Sequence, residues 1–179
     1  MGYTLEVKYQ VIRREIVKCT SKNPIEIANI FMHQDIVSMH GPEHHYLDGA
    51  AFLVAFKNAG GNFDLNYALD ELSKRTINMP GAMCGYWGLC GAVASVGAAL
   101  SIVHGTGPLS DNDFYKENMV YTSAVISKMA AIGGPRCCKR NAFLALSEVV
   151  KFVNKNYGVQ MELSDINCEF THFNPQCLK

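Results

Sequence analysis

From residue 23 onward the apolar positions recur at helical spacing. In "NPIEIANIFMHQDIV", Ile27, Ile30, Phe31 and Ile36 form one broad apolar face. Asn23 can cap this helix, Pro24 fits its first position, and Glu26 can complete a capping box. A second helix is predicted from Pro42 to Asn58, stopped by Gly60-Gly61. A third covers 64–77, with Leu65, Ala68, Leu69 and Leu72 on one face. The fourth, 91–103, is built of small residues. The fifth spans 113–132 and the sixth 135–157. The tail, 158–179, has no strong period and is expected to wrap over the helices.

Residues 1–22 read differently. Leu5, Val7, Tyr9 and Val11 alternate with Glu6, Lys8 and Gln10, a strand-like period of two, and the following "VIRREIVK" can turn helical. The pattern therefore predicts an N-terminal appendage over 1–22, with a short strand, followed by one helical domain over 23–179. The fold class is all-α: about six helices around the small-residue helix 91–103.

Composition narrows this picture. A chain of 179 residues, 49% hydrophobic and 18% charged, suits one globular domain with a real core. Its 16 basic and 16 acidic residues cancel, so no global field draws it to nucleic acid or an anionic membrane. From Thr76 to Ser110 there is no Asp, Glu, Lys or Arg, but Pro80 and the glycines at 81, 85, 88 and 91 break the run. What remains is too short for a bilayer and reads as a buried helix. Charges interrupt every apolar stretch at the N-terminus, which excludes a signal peptide there. With no signal, the seven cysteines point to metal binding or thiol chemistry in a reducing cytoplasm rather than to disulfides.

The candidate chemistry falls in four segments, most of them where a loop enters a helix. In "MHGPEHHYLD", Glu43, His44 and His45 occupy a first helical turn, with His40 just outside. Imidazole serves as metal ligand or general base, Glu43 as acid/base, and Asp48 is spaced to orient either His44 or His45. In "PGAMCGYWGLCGAVASVG", Cys84 and Cys90 are six apart, about 240° around a helix, so a folded-back loop is needed to bring them together. Cys90 would then stand at the entry of helix 91–103, where the dipole favours thiolate, with Tyr86 and Trp87 covering the site. Gly91, Ser95 and Ala98 or Ala99 form a small face open to another backbone.

In "GGPRCCKR", Cys137 and Cys138 sit at a helix start among Arg136, Lys139 and Arg140. Successive helical residues point about 100° apart, so the two thiols face different partners. The cations favour thiolates and could hold an anionic substrate. In "CEFTHFNPQC", Cys168 and Cys177 flank His172, and a metal could pin this tail. Each segment also has a plainer structural reading as helix caps, buried thiols or a frayed tail.

There is no C-x2-C zinc pattern, P-loop, dinucleotide fingerprint, G-x-S-x-G or H-E-x-x-H. The motifs "MHGPEHHYL", "CGYWGLCGA", "GGPRCCKR" and "NPQC", in this order, resemble an uncharacterised domain family of anaerobic bacteria and methanogenic archaea. The resemblance covers about residues 23–179. It implies association with methyltransferase domains in some members and an upstream zinc-ribbon-like segment in others; residues 1–22 carry no such pattern. It implies no reaction.

The residues themselves lead to a thiolate-metal enzyme or redox protein acting on a small anionic substrate. Cys84, Cys90 and Cys137 or Cys138 would be ligands, Cys168 or Cys177 would complete the shell, and the group held would be an iron–sulfur cluster or zinc. His44, His45 and Glu43 would do acid–base work, and Arg136, Lys139 and Arg140 would bind the substrate. Two alternatives stay open: a metal-stapled module partnering a methyltransferase, and a metal-free cysteine nucleophile. The small-residue helix could pack within the chain or across a homodimer.

Overall fold

A computed structural model describes residues 2–178. Among them are eight α-helices and no strand: α1 (Leu5–Ile16), α2 (Pro24–Met32), α3 (His44–Asn58), α4 (Leu65–Thr76), α5 (Met83–Tyr86), α6 (Gly91–Val103), α7 (Asp113–Ile132) and α8 (Cys138–Asn156). A 3-10 turn, Thr171–Phe173, lies in the tail. The all-α expectation holds, with two more helices than the sequence pattern gave.

The first extra helix replaces the expected N-terminal strand. Thr4 caps α1 through its side chain, and Tyr9, Ile12 and Ile16 are buried at helical spacing. The alternation of Leu5, Val7, Tyr9 and Val11 was the weaker period, because Val7 and Val11 are not in the buried set. The second extra helix, α5, is a single turn inside the glycine-rich loop. Ala82 precedes it in the left-handed region, at φ 63°.

Asn23 caps α2 by accepting from the Ile25 N–H, and Asp64 caps α4 by accepting from the Tyr67 N–H. Glu26 does not close the expected box. Its carboxylate instead accepts the Ser21 hydroxyl at 2.7 Å, while Ser21 accepts the Asn23 N–H.

The centre of the bundle is the pair α3 and α6. Every residue of α3 from His44 to Phe56 is buried, because α1, α2, α4, α6 and α8 surround it. Such a helix has no polar face to give to water, which is why it reads as apolar all round. The small-residue helix α6 therefore shares the central place with α3. The close approach turns on Gly49: its N–H lies 2.9 Å from Ser95 Oγ, and a Cβ there would stand 2.9 Å from the Ser95 carbonyl oxygen. The tail lies against the helices, burying Val159, Met161, Phe170 and Asn174. Among the described residues no helix is long and apolar enough to cross a membrane.

Candidate functional site

Three of the four candidate segments meet. The loop before α3, the α5–α6 loop and the start of α8 enclose a cavity of about 280 Å³. His40, His44, His45 and Asp48 line it from the first segment, Cys84 and Cys90 from the second, and Arg136, Cys137 and Cys138 from the third. Residues from 40 to 141 thus converge because α3 and α6 run side by side with α8 packed on both.

Asp48 lies deepest. It is fully buried in α3, and neither carboxylate oxygen has a hydrogen-bond partner. Its nearest charged or imidazole neighbour is His44, whose Nδ1 stands 3.7 Å from Oδ1, too long for a hydrogen bond. His45, one residue on, also has an unpartnered Nδ1, and burial lowers its basicity. Its ring abuts Gly91 so closely that a Cβ there would overlap it. The small face of α6 is therefore a seat for the α3 histidine as well as for the α3 backbone.

Cys90 caps α6 at its N-terminus, as its position implied. Its sulfur accepts from Asn141 Nδ2 at 3.3 Å and lies near the backbone N–H groups of Ala92 and Val93 without a cap hydrogen bond to either. Those donors favour thiolate, yet burial outweighs them and raises the thiol above its ordinary range. Cys138 goes further: burial, opposed by the Gly41 backbone, pushes it up to about 12, and its field couples to Asp48 and Cys90. At Cys90 and Cys138, desolvation thus outweighs the helix dipole and cations that favour thiolate. Cys137 ends the ambiguity of the adjacent pair. It is the N-cap of α8, its sulfur accepting the Arg140 N–H at 3.5 Å, so the helix begins at 138 rather than 135. Cys138 is the thiol that shares its surroundings with Asp48 and Cys90.

The cations separate. Arg136 stays in the loop ahead of α8, exposed, bordering the cavity and an adjoining one of about 270 Å³. Its charge reaches His40 and Cys138. Arg140 spends its guanidinium on the Gly133 and Pro135 carbonyls, both at 3.1 Å. Lys139 does not line the cavity. It is buried, with Nζ 3.2 Å from the Ser38 carbonyl, 3.4 Å from that of Met32 and 3.3 Å from His44 Nε2, above the Phe170 ring. Burial pushes its ammonium down to about 8 against the pull of Asp48.

Glu43 also turns away from the cavity. Its Oε1 takes Lys8 Nζ at 2.9 Å and the Ser38 N–H at 2.7 Å. Burial opposes ionisation, but these donors prevail and hold the carboxyl down at about 2. Cys168 and Cys177 lie in the tail outside the cavity, and His172 packs there against Phe173 with the rings tilted by 41°. Tyr86 and Trp87 are exposed rather than folded over the site. Among the described residues no three His, Cys, Asp or Glu side chains stand close enough together to hold a metal as they are placed.

Sequence reasoning missed Asn141, which sits three residues after Cys138 and so on the same face of α8; that spacing was the available signal. Asp48 was given only a supporting place, although it is the least satisfied group in the cavity. No curated protein and no solved structure matches the chain. The profile of a family of unknown function, DUF5714, matches residues 12–179, and the chain belongs to that family.

Proposed function

We propose that the cavity is the site of a metal-dependent enzyme that acts on a small anionic substrate. One observation carries the reading: Asp48 is a fully buried carboxylate with both oxygens unpartnered, facing a cavity shared with imidazoles and thiols. Burying an unpaired charge is costly, and a bound cation converts that cost into affinity. Asp48, His45, Cys90 and Cys138 are the residues that would hold it, drawing together on binding. This mixture of carboxylate, imidazole and thiol suits a single zinc ion better than an iron–sulfur cluster, which calls mainly for thiolates. The metal would supply Lewis acidity and draw out the thiolates that burial keeps protonated. Arg136, at the mouth, would take the anionic group of the substrate.

The test is metal analysis of anaerobically purified protein, followed by zinc titration of the wild type and of Asp48→Asn, Cys90→Ser and Cys138→Ser, with Cys19→Ser as control. A single metal bound by the wild type and the control, and lost in the other three, is expected. Zinc binding that ignores all three substitutions would overturn the reading. A metal that no small anion can approach would instead make the site a structural staple.

A second reading rests on the donors around Cys90. Asn141 donates to the sulfur at the N-terminus of α6, an arrangement that stabilises a nucleophilic thiolate once the site is charged. Alkylation of metal-free protein by iodoacetate separates the two. Rapid, selective modification of Cys90 favours the nucleophile, and protection of Cys90 by zinc favours the metal site.

A further inference from the structure

Lys139 was expected at a substrate and is found inside the protein, where its contacts bear on the proposed site without touching the cavity. His44 Nε2 has two neighbours that make opposite demands. The Ser38 carbonyl at 3.2 Å is an acceptor and calls for a proton on Nε2, while Lys139 Nζ at 3.3 Å calls for a bare nitrogen. An ammonium has three donors and no acceptor, so an Nε2–H facing it would set N–H against N–H. The same ammonium reaches the Ser38 carbonyl at 3.2 Å, so that oxygen is satisfied without the imidazole. The proton of a neutral His44 then belongs on Nδ1, and the group facing Nδ1 is Asp48 Oδ1 at 3.7 Å.

We infer that Lys139 is a positioning residue: its ammonium fixes His44 as the Nδ1–H tautomer and, through that ring, supplies the buried counter-charge for Asp48. The chain Lys139–His44–Asp48 accounts for a carboxylate that survives fully buried with no direct partner. It aims the His44 Nδ1–H at Asp48 Oδ1, 3.7 Å away and short of a hydrogen bond, and leaves the other oxygen to the cavity. It also ties the tail to the site. Phe170 lies 4.9 Å beneath the Lys139 ammonium, and Met32, at the end of α2, accepts from it.

The inference extends the proposed function but its test needs no metal. Nitrogen-15 NMR of histidine-labelled, metal-free protein reports which ring nitrogen carries the proton, with His44 assigned from the spectrum of His44→Asn. The wild type should show His44 protonated on Nδ1 and bare on Nε2. Lys139→Met should reverse this, with Nε2–H turning to the Ser38 carbonyl, and Lys139→Arg, which keeps a donor, should restore the wild-type pattern. A wild-type His44 protonated on Nε2 overturns the inference at once, even if Lys139→Met does not fold. A Lys139→Met protein that keeps the Nδ1–H pattern overturns it too. Loss of zinc binding with the tautomer intact would refute only the proposed function.

Discussion

Gly49→Ala puts the central helix pair under test. A Cβ at this position would stand 2.6 Å from Ser95 Oγ, 2.9 Å from Leu72 Cδ2 and 2.9 Å from the Ser95 carbonyl oxygen. The hydroxyl and the methyl can rotate away, but the carbonyl belongs to the backbone of α6. Reaching an ordinary contact requires α3 and α6 to part by about 0.5 Å, enough to forfeit a quarter or more of each dispersion contact across the seam. Overpacking of this kind costs about 1–3 kcal/mol. Alanine recovers about 1 kcal/mol of helix propensity, and the unyielding carbonyl puts the strain at the upper end, so a net loss of about 2 kcal/mol is expected. In a chain of this size that lowers Tm by about 4–8 °C. Gly97→Ala is the matched control. Its Cβ would meet Thr122 Cγ2 at 2.7 Å and Asn118 Oδ1 at 3.4 Å, both side-chain atoms on α7. The propensity gain should then prevail, leaving stability unchanged or raised. Paired thermal melts decide the matter. A Gly49→Ala protein as stable as the wild type, or a Gly97→Ala protein equally damaged, would refute the argument that backbone proximity sets the outcome.

Asp48→Asn should abolish zinc uptake and with it the rise in melting temperature that bound zinc gives the wild type; calorimetry with and without zinc checks this. Lys8→Met leaves Glu43 buried without its counter-charge, held by the Ser38 N–H, and should cost about 3–5 kcal/mol, and adding Glu43→Gln should restore much of it, as denaturant melts of the double-mutant cycle would show. Glu148 is held below its ordinary range because Lys128 and Lys151 outweigh its burial. A carboxyl with a lowered folded pKa stabilises above its unfolded value and loses that contribution as pH falls through the folded one. Glu148→Gln should therefore lower stability at neutral pH and leave it unchanged in strong acid, as urea midpoints across pH would report.

Most helices were legible because their signals are local. The apolar spacing of α2 and α4, the caps Asn23 and Asp64, and the glycines after Asn58 act within a turn or two. Helices α6 and α7 begin and end where the pattern placed them. The start of α8 was misplaced by three residues. Pro135 could serve either just before a helix or at its first position, and the Cys137 side chain settled that by capping. The strand-like reading of residues 5–11 failed for a tertiary reason: Tyr9, Ile12 and Ile16 are selected by what α3 offers them.

The sequence by itself determined the helical class from residue 23 onward, most of the helix bounds there, and the cysteine and histidine segments, three of which the fold brings to the cavity. Those follow from backbone hydrogen bonding and side-chain periodicity within a few residues. Only the tertiary structure decided which member of each pair matters. It made Cys137 the cap of α8 and left Cys138 beside it within the field of Asp48 and Cys90, gave Glu43 to Lys8, and moved Lys139 from a substrate's surroundings to the back of His44. It also buried Cys90 and Cys138 so that desolvation opposes the thiolates that the helix ends and cations argued for. The physical reason is desolvation: the cost of burying a charge depends on everything packed around it, and no stretch of sequence carries that sum.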